Sequence, residues 1–295
     1  MAIAGFHNMT GNDTAASSWT DRASARSEAM TAVLWDRDHW GYFDYNLTAG
    51  ARSVYVTADD NVVGAENSSA PEGQQVFTTV AQYYPFWTGA APEWLKSNPA
   101  AVLRAFERIE VLLDAFPGAP PATNLETNQQ WDEPNVWPPL TYILIDGLLN
   151  TPATFGEDDP SYVETQEVAL DIAQRYVDSA FCTWRTTGGA TSNLPKLESV
   201  EEGDDYGGAM FEKYNSTDIT AFGGGGEYEV QLGFGWSNGV LIWIGDEFGA
   251  DLQLPACEQQ LEEGGDGGDA TTKKKRSLTQ EMPRKKDAKW RRNGH

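Results

Sequence analysis

Gln129-Gln130-Trp131-Asp132-Glu133-Pro134-Asn135-Val136-Trp137-Pro138-Pro139 sets two tryptophans beside two acids and three prolines within eleven residues. Such a run is costly to bury as core filler, because carboxylates and prolines belong to surfaces and turns. About 75 residues further on stands Phe211-Glu212-Lys213-Tyr214. After a short break it continues into Gly223-Gly224-Gly225-Gly226-Glu227-Tyr228 and Gly233-Phe234-Gly235-Trp236-Ser237-Asn238-Gly239. Tryptophan, carboxylate and loosened backbone together are what a sugar site needs. The apolar face of a pyranose stacks on an indole much as aromatic rings pack on one another. Carboxylates accept the sugar hydroxyls and can also do acid and base work.

Outward from these runs, apolar residues recur at spacings of three and four, the signature of a helix that buries one face. This spacing predicts helices over residues 15–35, 74–86, 99–115, 134–149, 161–181 and 231–248. Pro134 would sit comfortably at the start of the fourth. Strand-like patches are few, and residues 53–58 form the clearest. The fold class is therefore all-α, with long connections that carry the unusual residues at one rim. Residues 262–269 read as a Gly/acidic linker and 273–295 as a basic polar tail, so the organisation divides into 1–261 and 262–295.

The chain has 295 residues, 40% of them hydrophobic and 12% aromatic, enough for a substantial core. Its net charge of −23 is unevenly placed: ten of the 21 Lys and Arg lie between Lys273 and Arg292. The body before them holds 11 basic against 42 acidic residues, a balance of −31. Such a body repels nucleic acid and anionic membrane and suits a neutral ligand. The longest apolar run, around Val240 to Ile244, is too short to span a bilayer, and the N-terminal residues show no signal peptide. Cys182 and Cys257 allow one bridge or none. Five Asn-x-Ser/Thr sequons begin at Asn8, Asn12, Asn46, Asn67 and Asn215, against roughly one or two by chance. That excess leans toward an extracellular or lumenal protein.

Glu212 is the first candidate for chemistry. Lys213 beside it would keep the carboxylate ionised, as a base requires, while the plainer reading is a Glu–Lys pair on a solvated turn. The four glycines from Gly223 weigh toward function, since each costs roughly 0.5–1 kcal/mol of chain entropy and makes sense where backbone approaches a ligand. Trp131 is either core or rim, and Asp132 and Glu133 equally suit the N-terminus of the helix that follows. No Gly-Lys-Ser/Thr follows the glycines, so they are not a phosphate loop. His7, His39 and His295 are scattered, which supports neither a metal centre nor a Ser-His-Asp triad. Glu201, Glu202, Asp204 and Asp205 read as a solvated acidic turn rather than a calcium loop. Lys273-Lys274-Lys275-Arg276 reads as part of the tail rather than as a nuclear address. No cofactor is expected.

Gln-Trp-Asp-x-Pro-Asn-x-Trp-x-Pro at Gln130 to Pro139 resembles a pattern of the trehalases, glycoside hydrolase family 37. Glu212-Lys213-Tyr214 with Gly223 to Tyr228 and Gly233 to Gly239 resembles the family's C-terminal block. Trp35-Asp36 followed by Gly41-Tyr42-Phe43-Asp44-Tyr45 is similar to a third family stretch. The resemblance covers about Ala23 to Gly249. It implies an (α/α)6 toroid of the six-hairpin glycosidase type that hydrolyses the disaccharide α,α-trehalose to two glucoses with inversion. Inversion uses one carboxyl as acid on the glycosidic oxygen and another as base on the attacking water. By motif position Glu212 would be that base and Glu227 a second carboxylate in the sugar pocket. Trp131, Asp132 and Trp236 would bind substrate or support the pocket.

The resemblance also breaks. The family's acid lies in a Gly-Trp-Asp-Phe-Ser-Ser-Arg-Trp-like run that this chain does not contain. Nor does it contain the Pro-Gly-Gly-Arg-Phe pattern or the pocket arginines of the family's N-terminal half. Six or seven long helices cannot close a toroid of twelve, and apolar faces would be left exposed. The expectation is thus the C-terminal portion of a toroid, about half the barrel, over 1–261. Two other readings stay open: a non-catalytic carbohydrate-binding or regulatory remnant, and a different (α/α)6 glycosidase of the glucoamylase kind.

Overall fold

The structure, a computed structural model, describes residues 2–57, 70–227, 229–255 and 257. The predicted linker at 262–269 and basic tail at 273–295 lie outside the described residues, as do Asn67 and Tyr228. Two helices open the chain, α1 (Ala2–Met9) and α2 (Asp13–Leu34). Four short strands follow as two hairpins: β1 (Trp35–Asp36) pairs with β2 (Gly41–Tyr42), and β3 (Tyr45–Asn46) with β4 (Ala51–Arg52). A third ladder joins β5 (Tyr55–Thr57) to β6 (Gln74–Val76). Then come the short helices α3 (Tyr84–Trp87) and α4 (Glu93–Lys96), and the long α5 (Pro99–Ala115). Strand β7 (Asn135–Val136) leads into α6 (Pro138–Leu149) and α7 (Pro160–Thr186), and β8 (Tyr214–Asn215) precedes α8 (Gly235–Phe248).

The helix starts are written into the sequence. Asn12, Asn98 and Asp159 each turn a side-chain oxygen onto an orphan backbone N–H, of Ala15 (3.1 Å), Ala101 (3.3 Å) and Tyr162 (3.0 Å) respectively. Pro99 and Pro160 occupy the first helical position, where no N–H is missed. At the far end of α5 the guanidinium of Arg175, reaching from α7, donates to the carbonyls of Leu113 (2.7 Å) and Phe116 (2.5 Å). A cation is thereby held at the negative end of that helix.

Helices α5, α6, α7 and α8 carry the core. Phe106 and Ile109 of α5, Leu144 and Leu148 of α6, Ile172 and Tyr176 of α7 and Ile244 of α8 are all fully buried in one cluster. The all-α expectation holds for this core, because every strand is only two or three residues long. Outside it the helices are poorly covered. Among its 22 residues α2 buries Ala16, and α8 leaves Ile242 72% exposed.

Several boundaries differ from the sequence expectation. Residues 74–86 are not one helix: 74–76 form β6, and a 3-10 turn at Val80–Tyr83 leads into α3. Asn124 holds this segment extended, accepting from Thr78 N (2.9 Å) and donating to the carbonyl of Val76 (3.0 Å). The helix expected from Pro134 starts at Pro138 instead, since Asn135 and Val136 are taken by the ladder to β8. For the same reason Asp132 and Glu133 do not serve a helix N-terminus. Among the described residues the helices of twelve or more residues are α2, α5, α6, α7 and α8. The cysteines, left open by the sequence, form a Cys182–Cys257 disulfide with Cα atoms 5.3 Å apart.

One half-buried acid tunes the stability of the α5–α7 pair. Burial raises the Glu110 carboxyl to about 7, and the charges of Glu164, Glu107 and Asp114 push it the same way. The folded pKa stands above the unfolded one, so this group's favourable contribution is complete below about 4.5 and is lost as pH rises through 7. Glu110→Gln should therefore stabilise the protein at pH 8 by about 1–2 kcal/mol, after discounting for partial solvent screening. The gain should fade to nothing at pH 4. Urea unfolding of both proteins at the two pH values checks this, and equal gains at both would remove the titration as the cause.

Candidate active site

The two aromatic–acidic runs, far apart in the chain, meet in one short ladder. Strand β7 pairs antiparallel with β8, matching Asn135 to Asn215 and Val136 to Tyr214. The contact continues on both sides. Ser216 N donates to the Pro134 carbonyl (2.8 Å), Gly224 N to Asn135 Oδ1 (3.0 Å) and Gly226 N to the Asn128 carbonyl (3.1 Å). The glycine run is needed for this approach. A Cβ on Gly225, whose φ is 72°, would meet the Asn128 carbonyl at 2.6 Å, and one on Gly223 would meet Asn135 Oδ1 at 2.6 Å. The backbone does come close to a partner there, as the sequence suggested, but the partner is the chain's own Asn128–Asn135 segment.

Three indoles stand over this junction. Trp131 and Trp137 stack face to face, 3.9 Å apart and 11° from parallel, and Trp236 meets Trp137 edge-on at 5.6 Å. Trp137 is buried and donates Nε1–H to the Gln130 carbonyl (2.8 Å). Trp131 is 49% exposed, which makes it a rim residue and not a core one. Trp236 donates its Nε1–H to the Glu212 carbonyl (2.8 Å), and so ties the start of α8 to the candidate base.

Glu212 is 4% exposed, and its Oε2 accepts from the Gln231 amide at 3.3 Å. The plain alternative of a Glu–Lys pair on a solvated turn is removed, because Lys213 is buried as well. The Lys213 ammonium turns instead to the glycine loop, donating to the carbonyls of Gly224 (2.7 Å) and Gly225 (3.4 Å) and lying 5.3 Å from the Trp137 ring centre. Burial lowers its pKa, and the charge of Glu212 opposes that shift.

The other named acids have different surroundings. Asp132 accepts hydroxyls from Thr123 (2.7 Å) and Thr127, so both carboxylate oxygens already hold the 123–132 loop together. Glu227 is exposed on the glycine loop. Glu133, which the sequence placed at the N-terminus of the helix that follows, is 8% exposed. Burial raises its carboxyl to about 7, with the charge of Glu126 adding to the shift. Asn135, Trp137 and Lys213 were not picked out as site residues, although they form the junction itself. Their place inside the two runs was the available signal. The Trp35-Asp36 stretch stands elsewhere: Trp35 and Asp36 line a separate groove with Arg37 and Trp94.

Among the described residues no group of three His, Cys, Asp or Glu is placed to hold a metal ion. No helix among them is long and apolar enough to cross a membrane. The family model described as trehalase matches residues 1–249, which takes in every element from α1 to α8.

The chain belongs to the trehalase family.

Three relatives show how far the family likeness reaches. The trehalase of Dictyostelium discoideum is 28% identical over 257 residues, covering 86% of this chain and 35% of that protein. The probable trehalase of Oryza sativa subsp. japonica is 31% identical over 84% of this chain and 37% of its own length. The trehalase of Oryctolagus cuniculus is 30% identical over 85% and 34% respectively. The chain thus spans about a third of the length of these trehalases. Among solved structures, the neutral trehalase of Saccharomyces cerevisiae aligns with 79% of this chain and 31% of its own, at 16% identity and a TM-score of 0.42.

Proposed function

We propose that this chain carries the base side of an inverting site that hydrolyses α,α-trehalose to two glucoses. The observation that carries the reading is the buried Glu212, whose carboxylate accepts from the Gln231 amide and whose main-chain carbonyl accepts from the Trp236 indole, beside the Trp131–Trp137 stack. In this reading Glu212 takes a proton from the water that attacks the anomeric carbon, and low exposure keeps bulk water from competing. Trp131 and Trp236 offer faces to the pyranose rings, Glu227 binds hydroxyls from the loop, and Asp132 holds the rim in shape. The acid that protonates the leaving oxygen lies outside this chain, and α1 to α8 supply part of an (α/α)6 toroid within 1–261. No cofactor takes part. Exposed sequons at Asn8, Asn12 and Asn46, together with the Cys182–Cys257 bridge, support an extracellular or lumenal setting. Asn215 is half-buried, its oxygen accepting from Thr217 N (2.8 Å) and Asp218 N (3.2 Å).

A substrate that needs no acid separates the two halves of the mechanism. With α-D-glucosyl fluoride, water forms the new C–O bond as the C–F bond breaks, fluoride departs as the anion, and Glu212 keeps the proton. The chain should release fluoride while leaving α,α-trehalose intact, and the first sugar formed should be β-glucose. Release of glucose from trehalose would place an acid on this chain. Release of neither product would remove the base assignment.

Trp131→Ala tests the binding part. Loss of one stacking face should weaken trehalose binding about tenfold while the chain stays folded, because the ring is half exposed and what it gives up inside is the stack on Trp137, worth about 0.5–1.5 kcal/mol. Calorimetric titration checks it, and unchanged affinity would take Trp131 out of the sugar contact.

A further inference from the structure

The Trp35-Asp36 stretch is not used by the site above, yet it has the makings of one. The last turns of α2, the β1–β2 turn and α4 border an open groove of about 640 Å³, within the range of small-molecule sites. Trp35 forms its floor and is 4% exposed, while Trp94, from α4, is 53% exposed. The two meet edge-on, with ring centres 5.8 Å apart and planes at 75°. Trp40 approaches Trp35 in the same way at 6.0 Å. Edge-on contacts leave these three rings unstacked on one another, so an indole face remains for a ligand. Beside it an adjoining hollow of about 350 Å³ is walled by Trp35, Trp40, Trp94 and Arg37.

The polar lining points to the ligand's chemistry. Asp36 is held by the His39 ring (2.9 Å) and lies 3.7 Å from the Arg52 guanidinium, which fixes that side of the groove. Arg37 and Asp38 are exposed at its mouth, and among the described residues neither forms an ion pair. Arginine and carboxylate side by side donate to and accept from neighbouring hydroxyls, and with Glu28, Asp36 and Asp38 in the lining against Arg37 and Arg52 an anion is not favoured. A ligand with apolar C–H faces and a hydroxyl rim satisfies both the rings and the charges.

We propose that this groove is a second saccharide-binding site, which takes a neutral pyranose on Trp94 with Arg37 and Asp38 at its hydroxyls. It shares no lining residue with the Glu212 junction and stands whether or not that junction is catalytic. The test is titration of the full chain with α,α-trehalose and with maltotriose, following the indole N–H resonances by heteronuclear NMR. Trp94→Ala and the exposed Arg37→Ala should each weaken one binding event about tenfold. Trp131→Ala should leave that event within about twofold of the parent. Circular dichroism shows whether each variant is folded, and Arg37→Ala serves if Trp94→Ala is not. Binding lost only with Trp131→Ala would overturn the proposal, and so would a chain that binds neither sugar.

Discussion

Glu212→Gln should slow fluoride release from α-D-glucosyl fluoride by about 10²–10⁴-fold, the usual worth of a positioned base. Glutamine is nearly the same shape and keeps an oxygen to accept the Gln231 amide, so the fold and the melting temperature should not move. What it loses is the ability to hold a proton. Glu227→Gln should behave differently, since that side chain is exposed on the loop and is assigned to binding. The discriminating measurement is the split between turnover and Michaelis constant. A fall in turnover alone for Glu212→Gln, with binding intact, supports the base. Equal loss in both variants, or turnover within threefold of the parent for Glu212→Gln, would sink the assignment.

Replacing both Cys182 and Cys257 by serine should cost about 4 kcal/mol of stability, because the bridge closes a loop of 75 residues in the unfolded chain. The loop between them holds Glu212, the glycine run, β8 and all of α8. Its anchor on the helix side is Cys182 of α7, which packs with Ile219 from the loop itself. Loss of the bridge should therefore be felt first in the loop: amide exchange should rise at Tyr214 and Gly224 before it rises in α5. Denaturant unfolding with and without a reductant measures the total. A change below about 1 kcal/mol would mean that the unfolded chain already keeps those ends together.

How far the sequence could be read depended on whether a segment's partners were local. Helix α5 lies where its spacing placed it, since Asn98, Pro99 and the buried face of Phe106 and Ile109 all act within one segment. Residues 74–86 carry a similar apolar spacing and still open with a strand, because Tyr55–Thr57 and Asn124 hold them extended from far along the chain. Pro134 and Pro138 were equally good helix starts by local chemistry, and the ladder to Tyr214–Asn215 decided between them. The same applies to the site. Glu212, Trp131 and Trp236 were legible as types of residue, and the structure brings their runs together. Which side chain is buried and which is rim was not legible: Lys213 looks like a surface cation until Gly224 and Trp137 are seen around it.

The two-rung pairing of Asn135–Val136 with Tyr214–Asn215 also limits how this protein can change over time. A residue added or removed in either run would slide one strand past the other by one step. Since neighbouring side chains in a strand point to opposite sides, a slip in β7 would exchange the apolar Val136 with the buried polar Asn135, and one in β8 would put the buried Tyr214 on the half-buried side now held by Asn215. The same slip would carry Asn135 Oδ1 away from the Gly224 amide. Substitutions can accumulate around the pair, but changes of length should be tolerated in the stretches between the runs and not within them.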